Sequence, residues 1–133
     1  TLLNRRSGIL GMSGHADMRE LQAAAAAGDP ASVIAFDVYV HRLRHYAGAY
    51  IALLGGVDVI SFTAGVGENA AAVRAGAMAT LGFAGVEIDP ERNEARERGI
   101  RRISTDESAV TVLVVPTNEE LEIARQALGV TQS

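Results

Sequence analysis

The residues with the most chemical potential lie in one run, Gly65-Val66-Gly67-Glu68-Asn69, between a β-branched segment and an alanine-rich one. Glycines at a strand-to-helix junction let backbone approach a ligand, and the unpaired N–H groups of a helix start favour anions. The plainer alternative is a tight turn without a ligand. Gly65-x-Gly67-x-x-Ala70 also satisfies the loose dinucleotide fingerprint, with Glu87 or Asp89 near the ~20-residue offset of a ribose-binding carboxylate. A nicotinamide-dependent Rossmann oxidoreductase is therefore a competing reading. Two features weigh against it. Thr63 and Ala64 precede Gly65 where the fingerprint follows an apolar strand, and two helical segments come before the motif.

His41 and His45 stand four apart on one helical face, a spacing that zinc proteases use with Glu directly after the first His. Arg42 occupies that place, so the pair reads as an exposed face. Glu119 and Glu120 are adjacent carboxylates at the expected start of the last helix. If Thr117 caps that helix, Glu120 takes the capping-box position. A helix N-terminus repels cations, so these residues alone do not point to a metal.

Composition removes several chemistries. All twelve basic residues are arginine, which excludes a Walker-type phosphate loop ending in Lys, a Schiff-base lysine and a pyridoxal site. The absence of cysteine excludes disulfides, thiolate metal sites and cysteine nucleophiles. A formal net charge of −4 argues against nonspecific nucleic-acid binding. No apolar run reaches the ~18 residues of a membrane span, and no signal-peptide pattern opens the chain. No nucleic-acid or membrane partner is expected, and a cytoplasmic origin fits. At 133 residues and 48% hydrophobic, the chain has the makings of one globular core. It opens Thr1-Leu2-Leu3-Asn4, without an initiator Met, and reads as cut from something longer.

The elements that must position these residues alternate between helix and strand. Gly8 to His15 carries glycine at every third position and reads as a loop. Asp17 caps a helix through Ala23–Ala27, with Glu20 placed to reach back and Gly28 as the stop. Asp29-Pro30 opens a long amphipathic helix with a stripe of Val33, Phe36, Val40, Leu43, Ala47, Tyr50 and Leu54, ended by Gly55-Gly56. Strands are expected at Val57–Phe62, Gly85–Ile88, Ile100–Ile103 and Val110–Val115, the last covered on both faces. Thr63–Asn69 reads as a loop, Ala70–Leu81 and Asn118–Leu128 as helices, and Glu91–Gly99 as a charged turn or short helix. The fold class is α/β.

Three blocks carry a resemblance. Ser13-Gly14-His15-Ala16-Asp17-Met18-Arg19-Glu20, Phe62-Thr63-Ala64-Gly65-Val66-Gly67-Glu68-Asn69 and Val115-Pro116-Thr117-Asn118-Glu119-Glu120-Leu121 together closely resemble the acetate kinase family. They stand in the family's order and at about its spacing, and the likeness runs from Leu2 to about Leu128. The resemblance implies the ribonuclease H-like fold shared by actin, the heat-shock ATPases and the sugar kinases. Residues 1–133 would then be the late part of its second domain, a single C-terminal nucleotide-binding portion of a longer two-domain kinase. The implied reaction is reversible transfer of the ATP γ-phosphate to acetate, giving acetyl phosphate and ADP. A propionate or other short-chain carboxylate kinase of the same family is the alternative, because acid selectivity would lie before Thr1.

Carried over residue by residue, Gly65, Val66, Gly67, Glu68 and Asn69 look like the family's adenosine-binding segment. Asp17, Met18 and Arg19 look like the strip beside the base and ribose, and Glu119 like the magnesium-associated glutamate. The implied ligands are ATP or ADP as substrate, acetate and Mg2+. No catalytic residue is assigned within this segment, so the isolated chain is expected to be inactive. The family is dimeric, which implies a homodimer through the full-length chain. A noncatalytic piece that mainly supplies dimer contacts is a further reading, although Tyr39, Tyr46 and Tyr50 read first as core and rim.

Overall fold

The computed structural model describes residues 7–117 and 127–128. Three helices open it: α1 (Gly8–Ser13), α2 (Met18–Ala26) and the 25-residue α3 (Pro30–Leu54). Then follow β1 (Val59–Phe62), α4 (Ala64–Asn69), α5 (Ala71–Met78), a single 3-10 turn at Gly82–Ala84, α6 (Pro90–Glu94), β2 (Arg101–Arg102) and β3 (Thr111–Val114). The three strands form one mixed sheet in the order β1-β3-β2. β1 and β3 run parallel, with Val59 opposite Thr111 and Phe62 opposite Val114, while β2 pairs antiparallel to β3.

Local chemistry explains the helix ends. The Asp17 carboxylate accepts the N–H of Arg19, and the Asp29 carboxylate accepts that of Ser32, so each satisfies an orphan donor of its helix start. Pro30 sits in the first turn of α3, and Gly55 closes that helix at φ +73. Glu20 does not return to the start of α2; its carboxylate stands 3.7 Å from Nδ1 of His15.

Two expectations about elements fail for one reason, the position of glycine. Gly8–Ser13 is helical rather than looped, because Gly8 and Gly14 mark its two ends and only Gly11 lies inside. Gly14 caps it at φ +80, with its N–H on the Leu10 carbonyl. Gly85–Ile88 is not a strand. Gly85 closes the 3-10 turn at φ +84, and the Glu87 N–H goes to the Ser108 hydroxyl instead of a ladder partner. Only Ile88 forms a bridge, to Ser104.

Two apolar clusters hold the structure, and α5 serves both. Val73 joins Met18, Leu21, Ala35 and Ala70 beneath α2 and α3. Ala77 and Met78 join Leu81, Val86, Ile103, Val110, Val112 and Val114 behind the sheet. Alternate residues of β3, Val112 and Val114, are buried, while Thr111 and Leu113 are half-covered, so one face of this strand is less enclosed than its apolar run implied. Gly76 lets α5 approach α3 closely, since a Cβ there would stand 2.8 Å from Val40 Cγ1.

The buried side of α3 differs from the expected stripe. Ser32, Ala35 and Val40 are buried, with Phe36, Tyr39, Leu43, Ala47 and Ile51 against the clusters. Val33, Tyr50 and Leu54 face outward, Leu54 being 72% exposed. Tyr46 is also exposed, so only Tyr39 of the three tyrosines packs into the core. A long helix that is apolar nearly all round has more than one face to bury.

Candidate functional site

The parallel strands β1 and β3 end side by side, and α4 starts directly after β1. Ligands of open α/β sheets bind outside the carboxyl ends of such strands. The segment expected as a loop, Thr63–Asn69, is here a six-residue helix entered through Ala64 at φ +60. A non-glycine residue there is strained and persists only where its surroundings fix it. Those surroundings are visible: the Ala64 N–H donates to Oγ1 of Thr117 at 2.8 Å, just beyond β3. That donor is thus taken within the chain and is not left for an anion.

Beside α4 lies a cavity of about 510 Å³ lined by Ala16, Asp17, Met18, Arg19, Gln22, Gly65, Val66, Asn69 and Ala70. It brings six of the expected site residues together. A second cavity of about 880 Å³ adjoins it, sharing Arg19, Gln22 and Asn69 and bounded opposite by the segment from Glu94 to Gly99. Asn69 holds the shape of α4 by donating Nδ2 to the Gly65 carbonyl at 2.8 Å.

Asp17 and Arg19 form a clamp at the mouth. Arg19 donates Nε and Nη2 to the two carboxylate oxygens, at 3.2 and 2.7 Å, while its backbone N–H takes Oδ1 at 2.7 Å. These bonds hold the Asp17 carboxyl down to about 2 and raise the Arg19 guanidinium. A planar cation fixed this way can stack on a flat ring. Met18 faces the other way: it is buried with Leu21 and Val73 and forms the apolar floor.

Two expected ligand contacts have other work. A Cβ on Gly67 would stand 3.2 Å from the Phe62 backbone carbon, so this glycine serves the approach of α4 to β1. For Gly65 the same test finds open space, which makes it the position where backbone can meet a ligand. Glu68 gives its carboxylate to Thr117, whose N–H and hydroxyl both reach Oε1; these bonds hold the Glu68 pKa below the ordinary carboxylate range.

Sequence reasoning passed over three residues here. Gln22 lies one turn after Met18 on the same helix face, a signal that was available; its Nε2 is buried without a hydrogen-bond partner among the described residues. Arg74 is 2% exposed, and burial pushes its guanidinium pKa down. It donates Nη1 to the carbonyls of Gly67 and Glu68, and reaches Asn93 with Nε and Nη2. Nothing in the sequence marked Arg74 or Asn93 out.

His41 and His45 are both exposed on α3. Among the described residues, no group of three His, Cys, Asp or Glu side chains is placed to hold a metal. Glu119, the expected magnesium contact, and Glu120 lie outside the described residues; of the expected last helix only Ala127 and Leu128 are described, and both are helical. Among the described residues no helix is long and apolar enough to cross a membrane. Gly65 and Gly67 lie inside α4 rather than in the turn before it, which departs from the dinucleotide fingerprint.

Comparison with known proteins shows the family. The model of the acetokinase family matches residues 1–125. The acetate kinase of Leifsonia xyli subsp. xyli (strain CTCB07) is 61% identical over 127 residues, covering 96% of this chain and 32% of that protein. The crystal structure of Porphyromonas gingivalis acetate kinase superposes with a TM-score of 0.88 at 41% identity, over 98% of this chain and 33% of that one. A propionate kinase from Francisella tularensis subsp. tularensis SCHU S4 gives 0.82 at 37% identity, over 92% and 31%. The chain spans about a third of the length of the curated relatives it matches. Its α/β architecture is that of a segment of the fold those kinases share, and the chain belongs to the acetokinase family.

Proposed function

We propose that this chain is the nucleotide-binding portion of an ATP-dependent carboxylate kinase. That enzyme transfers the γ-phosphate of ATP reversibly to acetate to give acetyl phosphate and ADP. The observation that carries the reading is the cavity in which Asp17, Met18 and Arg19 meet Gly65, Val66 and Asn69. Its apolar floor, its arginine fixed at the mouth and its open glycine suit a nucleoside: a flat ring, and a sugar edge that backbone can approach. A carboxylate oxygen attacks the γ-phosphorus, the bond to the bridging oxygen breaks, and ADP leaves. Phosphoryl transfer depends on positioning and on cationic stabilisation of the transferring group. The described residues offer the first for the nucleoside, and we assign no catalytic group among them.

Magnesium would enter with the nucleotide, held largely by phosphates and water, with Glu119 giving one direct or water-mediated contact. That assignment rests on motif resemblance. We place the enzyme in the cytoplasm, where its ATP is made, and as a homodimer of longer chains. The outward apolar end of α3, with Tyr50, Leu53 and Leu54 all exposed, supports such an assembly. Propionate is the second acceptor to weigh, because a propionate kinase shares this architecture.

The test is product formation. A full-length chain ending in this segment should make acetyl phosphate from ATP and acetate, while the isolated 133 residues should not exceed a no-protein control. No acyl phosphate from the full-length chain with either acid would end the kinase reading.

A further inference from the structure

We propose that Arg74 and Asn93 form a positioning pair for the nucleotide site, acting on the larger cavity that shares Arg19, Gln22 and Asn69 with the nucleoside cavity and holding its Glu68–Asn69 wall at a set distance from its Glu94–Gly99 wall. The inference rests on the nucleotide reading above and deepens it.

α4 is cut short when Ala70 leaves helical geometry at φ −110 and ψ 82. The Val66 carbonyl keeps a backbone partner in the Ala70 N–H, but a helix end leaves its last carbonyls without donors. Arg74 supplies them: Nη1 reaches the Gly67 and Glu68 carbonyls, each at 2.9 Å. The other edge of the guanidinium grips α6, with Nε on Asn93 Oδ1 at 2.8 Å and Nη2 on the Asn93 carbonyl at 2.6 Å. Asn93 then donates Nδ2 to the Ala71 carbonyl at 3.0 Å, closing the ring back onto α5. Asn93 is as buried as Arg74, at 2% exposure.

All four acceptors of this buried cation are neutral: three backbone carbonyls and one amide oxygen. A buried charge to which no carboxylate is hydrogen-bonded, Glu94 acting on it only through space, is a costly way to fill the volume, and apolar side chains would fill it at less cost. A guanidinium supplies something they lack, a rigid planar fork that fixes angle as well as distance. The two groups it joins lead directly into opposite walls of one cavity. Asn69 follows Glu68 on one side, and Glu94 follows Asn93 on the other, and all but Asn93 line that cavity.

The experiment is steady-state kinetics on a full-length chain carrying this segment, with melting curves alongside. Arg74→Lys keeps the charge and loses the fork; Asn93→Ala removes the acceptor; Asn93→Asp keeps Oδ1. We expect Arg74→Lys and Asn93→Ala each to raise KM for ATP roughly tenfold or more, as loss of a supporting group does, with KM for acetate near the parent value. The double variant should be no worse than the worse single one, and Asn93→Asp should restore much of the loss. If Arg74→Lys does not fold, Asn93→Ala and its rescue by Asp decide the matter. An unchanged KM for ATP, equal changes for both substrates, or independent effects in the double variant would overturn the pair. A parent enzyme with no saturable ATP dependence would instead overturn the nucleotide reading beneath it.

Discussion

Thr117 gives both its backbone N–H and its hydroxyl proton to one carboxylate oxygen of Glu68, each at 2.9 Å. The same hydroxyl oxygen accepts the Ala64 N–H at 2.8 Å and lies 2.9 Å from the Thr63 hydroxyl. Its single proton is committed to Glu68, so Thr63 must be the donor between the two threonines. Two motif blocks far apart in the sequence are thereby latched into one structure, and the strained Ala64 is held at its centre.

The latch makes a pH prediction. The folded-state pKa of Glu68 lies below its unfolded value. Its contribution is therefore fully present above the ordinary carboxylate range and is lost as pH falls through the lowered value. Glu68→Ala should cost roughly 1 kcal/mol near neutral pH, the scale of partly exposed charge-assisted bonds. Glu68→Gln, which keeps an acceptor oxygen, should cost less. Urea melts at neutral and acid pH would check this. The difference between parent and Glu68→Gln should shrink in acid, and a difference that grew would contradict the latch.

The two glycines of α4 should separate ligand contact from packing. Gly65→Val places its side chain in open space beside the cavity, so nucleotide affinity should fall while the melting temperature stays near the parent's. Gly67→Val drives into the Phe62 backbone and should cost about 1–3 kcal/mol, as overpacking does. Thermal melts and ATP titrations of both variants in the full-length chain would distinguish them.

The Asp17–Arg19 clamp predicts a different separation. Asp17→Asn keeps a side-chain oxygen for the Arg19 N–H, so α2 should stay capped. It removes the charge that fixes the guanidinium, so KM for ATP should rise with little change in melting temperature. Because the Asp17 carboxyl titrates at about 2, its part in stability persists on acidification until pH falls from its ordinary 3.8 toward that value. NMR titration of the Asp17 carboxyl carbon would test this, and an ordinary midpoint would refute the clamp.

Glu119 and Glu120 can be told apart by magnesium. Glu119→Ala should raise the Mg2+ concentration needed for turnover while leaving stability nearly unchanged. Glu120→Ala should leave both stability and Mg2+ dependence near the parent's, because the Thr117 N–H that a capping box would give Glu120 goes to Glu68 instead. Equal kinetic damage from both would remove the metal assignment.

What the sequence made legible was local chemistry. Asp17 and Asp29 announce helix starts because a carboxylate two or three residues before an N–H can reach it whatever lies elsewhere in the fold. Gly55 announces a stop for a similar reason. Gly8, Gly11 and Gly14 misled because their number says loop, whereas the position of two of them at the ends says helix. The motifs marked residues that the structure gathers at one cavity, but the division of labour among them was not legible. Glu68 looks like a ligand contact until Thr117, 49 residues away, takes its carboxylate. Arg74 stayed hidden because its acceptors are mostly backbone carbonyls, which every residue carries.

The central claim is that the cavity between Asp17–Arg19 and Gly65–Asn69 holds the adenosine of ATP. Calorimetric titration of a full-length chain carrying this segment, with ATP and separately with NAD, tests it most directly. We predict saturable binding of ATP, lost in Gly65→Val, and none of NAD. Saturable NAD binding without ATP binding, or a folded Gly65→Val variant that binds ATP as the parent does, would contradict the claim.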